Sequence, residues 1–507
     1  MNSDIPVEQA EVSSQVLPGV LSARSEKASS IADSIILRAP ILSVLFLTAA
    51  VIESFRLSSL TSLSSADIWW HLRTGLWIAQ NHGLPHHGIY SQSSQLPWMA
   101  TSWAYDLLLA LAYKLLGLRA LPALLMGFKA CLAVLTFALA GGVRGRFWLA
   151  AILSGLTQYI LAATPATPAF CSVLFFGAEL LVIFNYLRNR NDGLLWYLPP
   201  LMLMWANVAP EFVCGIALLL FFLIARAIEK RGQFPELRAP LFVGGLSLLA
   251  TFLTPYVYGA WAAFFSNAGN AANQYFPDHM AMKFHQPQDY LLLLVTMIAF
   301  LALGMKRSRD PFQVALLVGC AALAFHSQRD VWLVALASIA ILGEALREDE
   351  IAPTRPTSPR RWRAVTIVAA SLLIVAFEMG VPHHRETLLA KVAESYPVAA
   401  ADYIRQNNLP EPLFNSYEWG GFLMWYQSEI PVAIDGRINL YPDSFFVTYS
   451  KVLNAELPYA AFPAMYQART ILLPSHTITA EALSSVPAFK LVYRDDVATV
   501  LMPTQGR

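Results

Sequence analysis

The chemistry-bearing stretch of this chain is SSADIWWHLRTGLWIAQNHGLPHHGIYSQSSQLPWMATSW, Ser64 to Trp103, which lies between one apolar tract and a long series of others. At 100° per residue, Asp67, His71 and Thr74 fall on one side of a helix, and Trp69, Leu72 and Leu76 on the other. The spacing therefore predicts an amphipathic helix with a carboxylate and an imidazole on its polar face. Trp69, Trp70 and Trp77 suit the zone between headgroups and acyl chains, so the helix is expected to lie flat on the membrane surface. A carboxylate there can take a proton from an acceptor hydroxyl or amine, or orient a metal-bound phosphate. Asp67 reads equally as a helix cap, because Ser64-Ser65-Ala66-Asp67 precedes the helix. His71 could bind a phosphate, share a metal or serve as a plain interfacial polar group. Arg73 could hold a lipid phosphate or snorkel along the apolar flank.

His82, His86 and His87 invite a zinc reading, but no helix-spaced His pair or Cys partner accompanies them, so no metal site is assigned. A divalent metal bridging a carboxylate and a phosphate stays open as a cofactor. Charges inside apolar spans are costly unless paired or facing a cavity, which singles out Glu53, Lys129 and Glu179. Lys129 and Glu179 make a candidate internal ion pair, and Glu53 lies near enough to the outer surface to join a cavity at Asp67. Further along, Asn207 with Glu211, then Tyr256, then His326, Arg329 and Asp330 mark three outer turns. Polar residues gathered on one face of a helical bundle imply an outward-opening cavity, though ordinary turn chemistry explains them as well.

These residues must be carried by a membrane protein. Of 507 residues, 56% are hydrophobic and 14% charged, against roughly a quarter charged in soluble proteins. Apolar segments near 39–56, 119–142, 147–163, 167–187, 194–209, 210–229, 240–257, 288–305, 311–326, 330–347 and 363–380 predict about eleven crossings. Loops holding Arg144 and Arg146, Arg188 and Arg190, Lys230 and Arg231, Lys306 with Arg307 and Arg309, and Arg355 to Arg363 fall on the side of the N-terminal tail, which is therefore expected in the cytoplasm. Residues 1–38 read as a disordered tail. The short segment Trp103 to Gly117, with Asp106 and Lys114, is expected as a second interfacial or re-entrant helix within a first outer loop of residues 57–118. The net charge of +1, with its basic residues scattered among loops, gives no reason to expect nucleic acid. The cysteines at 131, 171, 214 and 320 lie in apolar runs and read as small buried side chains.

After the membrane domain, residues 39–380, the composition becomes that of a soluble domain, residues 381–507. Strand-like PLFN, PVAID, TILLP and FKLVY alternate with a helical PDSFFVTYSKVL, and FKLVYRDDVATVLMP reads as a hairpin turning at Asp495 and Asp496. An odd number of crossings puts this α/β domain outside the cytoplasm. Asp435-Gly436-Arg437 is a turn signal in which Arg437 can simply pair with Asp435.

The stretch DIWWHLRTGLWIAQNHGLP, followed by LPW and W-x-x-D before an apolar helix, resembles the first outer loop of GT-C membrane glycosyltransferases. It is most similar to a bacterial group carrying an outer domain with an FN-x-x-x-WGG-[YF]-L…IDGR…Y pattern, matched by Phe414, Asn415, Trp419 to Leu423, Ile434 to Arg437 and Tyr441. The likeness runs from about residue 60 to the end. It implies an inner-membrane enzyme that moves a sugar from a polyprenyl-phosphate donor to an extracytoplasmic glycan, lipid or protein acceptor, with inversion. Asp67 is then the base, Asp106 a second acid, and Arg73 or Arg329 the stabiliser of the departing phosphate. The chain departs from the group at Ala209 and Pro210, at Gln274 and Tyr275, and at Gly88. Two other readings stay open: a non-catalytic assembly or glycan-binding protein of the same architecture, and a transporter.

Overall fold

The computed structural model describes residues 40–59, 61–142, 146–229, 234–269, 273, 279–305, 310–346 and 359–504. The N-terminal tail, the basic loops at 230–231, 306–309 and 347–358, Arg144, Gln274 and Tyr275 lie outside the described residues. Each of the eleven apolar segments forms a helix. In order they are α1 (Pro40–Ser58), then, after α2 (Thr61–Ser64), α3 (Ala66–Asn81) and α4 (Trp103–Leu116), α5 (Ala120–Leu139), α6 (Phe147–Ile160), α7 (Pro168–Asn189), α8 (Leu198–Val208), α9 (Phe212–Glu229) and α10 (Phe234–Ala250). After α11 (Gly259–Ala268) come α12 (Pro287–Met305), α13 (Pro311–His326), α14 (Val331–Ala345) and α15 (Pro359–Gly380). Among the described residues six apolar stretches are long and hydrophobic enough to cross a bilayer, which makes this a multipass membrane protein. Helices as short as α6, 14 residues, rise only about 21 Å at 1.5 Å per residue.

Local chemistry sets several boundaries. Pro168 opens α7 after an extended Thr167, and Pro311 opens α13, where the Asp310 carboxylate accepts the Phe312 N–H. The 37-residue, largely apolar stretch from Trp103 to Leu139 is divided at Gly117, whose φ of +59° a side chain would strain, so α4 and α5 are separate helices. All of Trp332 to Gly343 is buried, as expected for a helix apolar on every side, and α14 therefore runs through the middle of the bundle. At one end of the bundle, Arg188 pairs with Glu344 at 2.6 Å and Arg226 with Asp310 at 2.9 Å and with Glu229. Arg226, Glu229, Asp310 and Glu344, with Arg190, line a cavity of about 260 Å³.

Two expectations about buried charge are corrected. Lys129 does not reach Glu179; its Nζ donates to Ser54 Oγ at 2.9 Å and to the Ala162 carbonyl at 3.1 Å. Glu179 is fully buried beside Trp205, Met202 and Gly215, and neither of its oxygens has a hydrogen-bond partner. Of the cysteines, Cys171 and Cys320 are buried, but Cys131 is exposed on the bundle surface.

The C-terminal region begins with α16 (Arg385–Val392) and α17 (Val398–Gln406), then β1 (Leu413–Asn415), α18 (Tyr417–Tyr426), α19 (Asp443–Leu453), α20 (Pro463–Tyr466), β2 (Thr470–Pro474), α21 (Ile478–Ser484), β3 (Phe489–Arg494) and β4 (Ala498–Pro503). The sheet order is β1-β2-β4-β3, with β1 parallel to β2 and the other two pairs antiparallel. Asp495 Oδ1 accepts the N–H groups of Val497 and Ala498, which makes the expected hairpin turn. PVAID is not a strand of this sheet. Val432 instead exchanges backbone hydrogen bonds with the loop after α3, donating to Tyr90 O and accepting from Gln92 N.

Candidate functional site

Two helices of the first outer loop place the acidic groups. Gly75 presses α3 onto α4 so closely that a Cβ would overlap the Asp106 backbone carbonyl. At that distance His71 Nδ1 meets Asp106 Oδ1 at 2.5 Å, with Asp106 fully buried and His71 only 5% exposed. The polar face of α3, including the buried Thr74, therefore packs against protein. So does the apolar face: Trp69 is fully buried among Tyr396, Phe422 and Trp425, which corrects its expected place among headgroups. A helix apolar on one side and polar on the other was filled on both sides because α4 supplied a carboxylate for the imidazole.

Asp67 lies in the first turn of α3 and is half-buried. Ser65 occupies the cap position, so Asp67 is a helical residue. Its Oδ1 accepts the Trp70 indole N–H at 3.1 Å, and the Trp70 ring stacks on His71 with centroids 3.5 Å apart. Asp67, Trp70 and His71 thus make one continuous polar and aromatic edge, with Asp106 behind it.

Arg329, in the turn between α13 and α14, donates to Glu211 at 2.7 Å, and its other nitrogen lies 3.5 Å from His279 Nε2. Glu211 is fixed from behind by Ser172, which accepts from Trp205. Burial works against the charge on Arg329, but the carboxylates of Glu211, Asp330 and Asp67 together raise its pKa. The guanidinium remains a fixed cation, and its side chain is 42% exposed. Burial raises the pKa of Asp330, with Arg329 opposing.

Other candidates are placed elsewhere. Arg73 lies over the Tyr90 ring at 4.3 Å, with its Nε buried and without a hydrogen-bond partner. The Tyr256 hydroxyl accepts the Ala100 N–H at 3.1 Å and so anchors the loop before α4. Glu53 is half exposed and pairs with Arg56 on its own helix. Asn415 is fully buried and ties Ala433 N–H and Ile434 C=O to the end of β1, while the buried Trp419 donates to Ser395 O. Asp435 and Arg437 form a fully buried ion pair. The space at Gly88, one of the departures from the resembled group, is closed by Leu440 and the Ser93 carbonyl. Among the described residues no three His, Cys, Asp or Glu side chains gather as ligands, so no step is routed through a metal.

Two neighbours of Asp67 escaped the sequence reading. Trp70 is three residues on, on the same helical face, which was a readable signal. Tyr417 comes from the C-terminal region; burial raises its pKa, and so do the charges of Asp67 and Asp435. Nothing local to either segment announced that meeting.

With this geometry established, comparison with solved structures is informative. The chain is similar to the Archaeoglobus fulgidus oligosaccharyltransferase tethered with an acceptor peptide, at TM-score 0.53 and 12% identity over 87% of this chain and 70% of that one. The chain shares the overall fold of that protein. Similarity extends to ArnT from Cupriavidus metallidurans bound to undecaprenyl phosphate, at TM-score 0.49 and 14% identity over 91% of this chain and 98% of that one. No protein-family model and no curated protein matches the sequence. The 260 Å³ cavity at Arg226 lies at the opposite end of α9 from Glu211.

Proposed function

We propose that this protein is an integral membrane glycosyltransferase that moves a sugar from a polyprenyl-phosphate donor to an acceptor outside the cytoplasm, with Asp67 as general base. The observation that carries the reading is a half-buried carboxylate, Asp67, whose charge acts on the half-exposed guanidinium of Arg329. In the proposed step Asp67 takes the proton of an acceptor hydroxyl or amine. The freed lone pair attacks the anomeric carbon, the bond from that carbon to the phosphate oxygen breaks, and the leaving polyprenyl phosphate keeps the electron pair. Arg329 faces the negative charge as it develops. His71, tied to Asp106 through Nδ1, has Nε2 left to hydrogen-bond substrate. The likeness to an oligosaccharyltransferase fold supports the reaction class by analogy.

The same proposal includes topology. The end of the bundle rich in arginines is cytoplasmic by charge, the eleven apolar helices cross, and the C-terminal domain and Asp67 face outward across the bacterial inner membrane.

Asp67→Asn keeps the volume and the contact with Trp70 but cannot accept the proton. It should lower transfer from a polyprenyl-phosphate sugar in isolated membranes by about 10²–10⁴-fold, with an unchanged thermal unfolding midpoint. An unaltered rate in this variant would sink the enzyme reading in favour of an assembly or glycan-binding role. Lipid-linked sugar and glycan profiles of cells with and without the gene identify the product.

A further inference from the structure

The IDGR turn of the C-terminal region lies against the proposed base. Arg437 donates to Asp435 from Nε at 2.8 Å, from Nη2 at 2.7 Å and from its own backbone N–H at 2.9 Å. Tyr441 adds its hydroxyl at 2.9 Å, and both charged residues are almost completely buried. Four donors on one carboxylate nearly exhaust its acceptor capacity, so the turn has a single conformation. Its position is set too, because Asn415 clamps Ala433 and Ile434, and Gly420 lets α18 touch the Ile434 carbonyl.

The residue between the paired charges is glycine. A Cβ at Gly436 would lie 2.6 Å from Asp67 Oδ1 and 2.9 Å from Trp70 Nε1, and one at Gly421 would lie 2.7 Å from the Ala66 carbonyl. The turn holds Trp70 from a second direction as well. Arg437 lies over the Trp98 ring at 4.8 Å, and Trp98 and Trp70 meet nearly perpendicular with centroids 6.2 Å apart. A salt bridge that served only to staple the C-terminal region would explain the burial. It would not explain why the bare backbone of the turn is applied to the hydrogen bond between Trp70 and Asp67.

We infer that Asp435, Gly436 and Arg437 are positioning residues for Asp67: the C-terminal domain supplies one wall of the site and fixes the rotamer of the base through Trp70. This rests on the proposed function for its consequence, but not for its geometry. The turn limits where the carboxylate points, and misplacement of a reacting group by about 1 Å can cost on the order of 100-fold in rate.

The test uses full-length protein labelled with 5-fluorotryptophan in lipid nanodiscs. Trp70→Phe identifies the Trp70 fluorine resonance, and Asp67→Asn shows how it moves when the carboxylate is altered. Gly436→Ala should displace the same resonance and leave the remaining tryptophan resonances in place, while transfer falls on the order of 100-fold and binding of undecaprenyl phosphate is retained. A Trp70 resonance unmoved in Gly436→Ala overturns the inference. If many resonances shift together, Tyr441→Phe, which removes one hydrogen bond to Asp435, decides: a displaced Trp70 resonance supports positioning, and an unmoved one overturns it. Should wild-type protein show no transfer, the enzyme reading fails while the fluorine shift still reports on the contact.

Discussion

Asp435 shows how much a buried carboxylate depends on its partners. Burial alone would raise its pKa, but Arg437, through charge and hydrogen bonds, with help from Tyr441, holds it below the ordinary value. A depressed folded pKa means the pair stabilises the protein above the unfolded carboxylate range, near pH 4, and that this stability is lost as pH falls through the folded value. Thermal unfolding followed from about pH 7 to about pH 3 should therefore show a steep loss below about pH 4. Asp435→Asn should be less stable at neutral pH by about 3–5 kcal/mol, the cost of leaving a buried guanidinium unpaired, and flatter in acid. Equal acid slopes for the two proteins would contradict the assignment. The IDGR pattern was visible in sequence as a turn with a candidate pair; that the pair is buried against Trp98, beside the base, was not.

At the scale of elements, α3 is the part most constrained from both sides. Its helical period and its polar face were legible from Asp67, His71 and Thr74 alone. Its environment was misread, because an amphipathic pattern is satisfied equally by a membrane surface and by a polar partner helix. Asp106 is that partner, and Gly75 is the reason it comes close enough. Gly75→Ala should force α3 and α4 apart, break the 2.5 Å contact between His71 and Asp106 and leave a buried imidazole and carboxylate without each other. We expect a lower thermal unfolding midpoint and loss of transfer together, measured on protein in nanodiscs. A midpoint equal to that of wild type would show that the two helices can separate without cost. PVAID was mistaken for a strand for a related reason: its alternation describes an extended segment but not its partner, and Val432 pairs with the first outer loop instead of the sheet.

For the whole molecule, the C-terminal region and the first outer loop share two buried apolar clusters. Trp69, Leu72, Trp419 and Phe422 belong to one buried cluster, and Trp98, Phe414 and Ile434 to another. Removal of residues 381–507 should leave an inserted helical bundle whose first outer loop is newly cut by added protease within residues 66–116 and which transfers no sugar. Protection equal to that of the full chain would show that the loop is ordered by the bundle alone. By itself the sequence determined the eleven apolar helices, the boundaries marked by Pro168, Pro311 and Gly117, the sheet hairpin at Asp495, and the polar residues worth watching, since helical period, turn chemistry and hydropathy are local properties. Only the tertiary structure decided which of those residues meet. The pairing of His71 with Asp106, the isolation of Lys129 from Glu179, and the approach of Gly436 to Asp67 across more than three hundred residues all depend on how closely backbones can pack. That closeness is set by glycines and by the shape of neighbouring side chains, and no periodicity along a single chain encodes it.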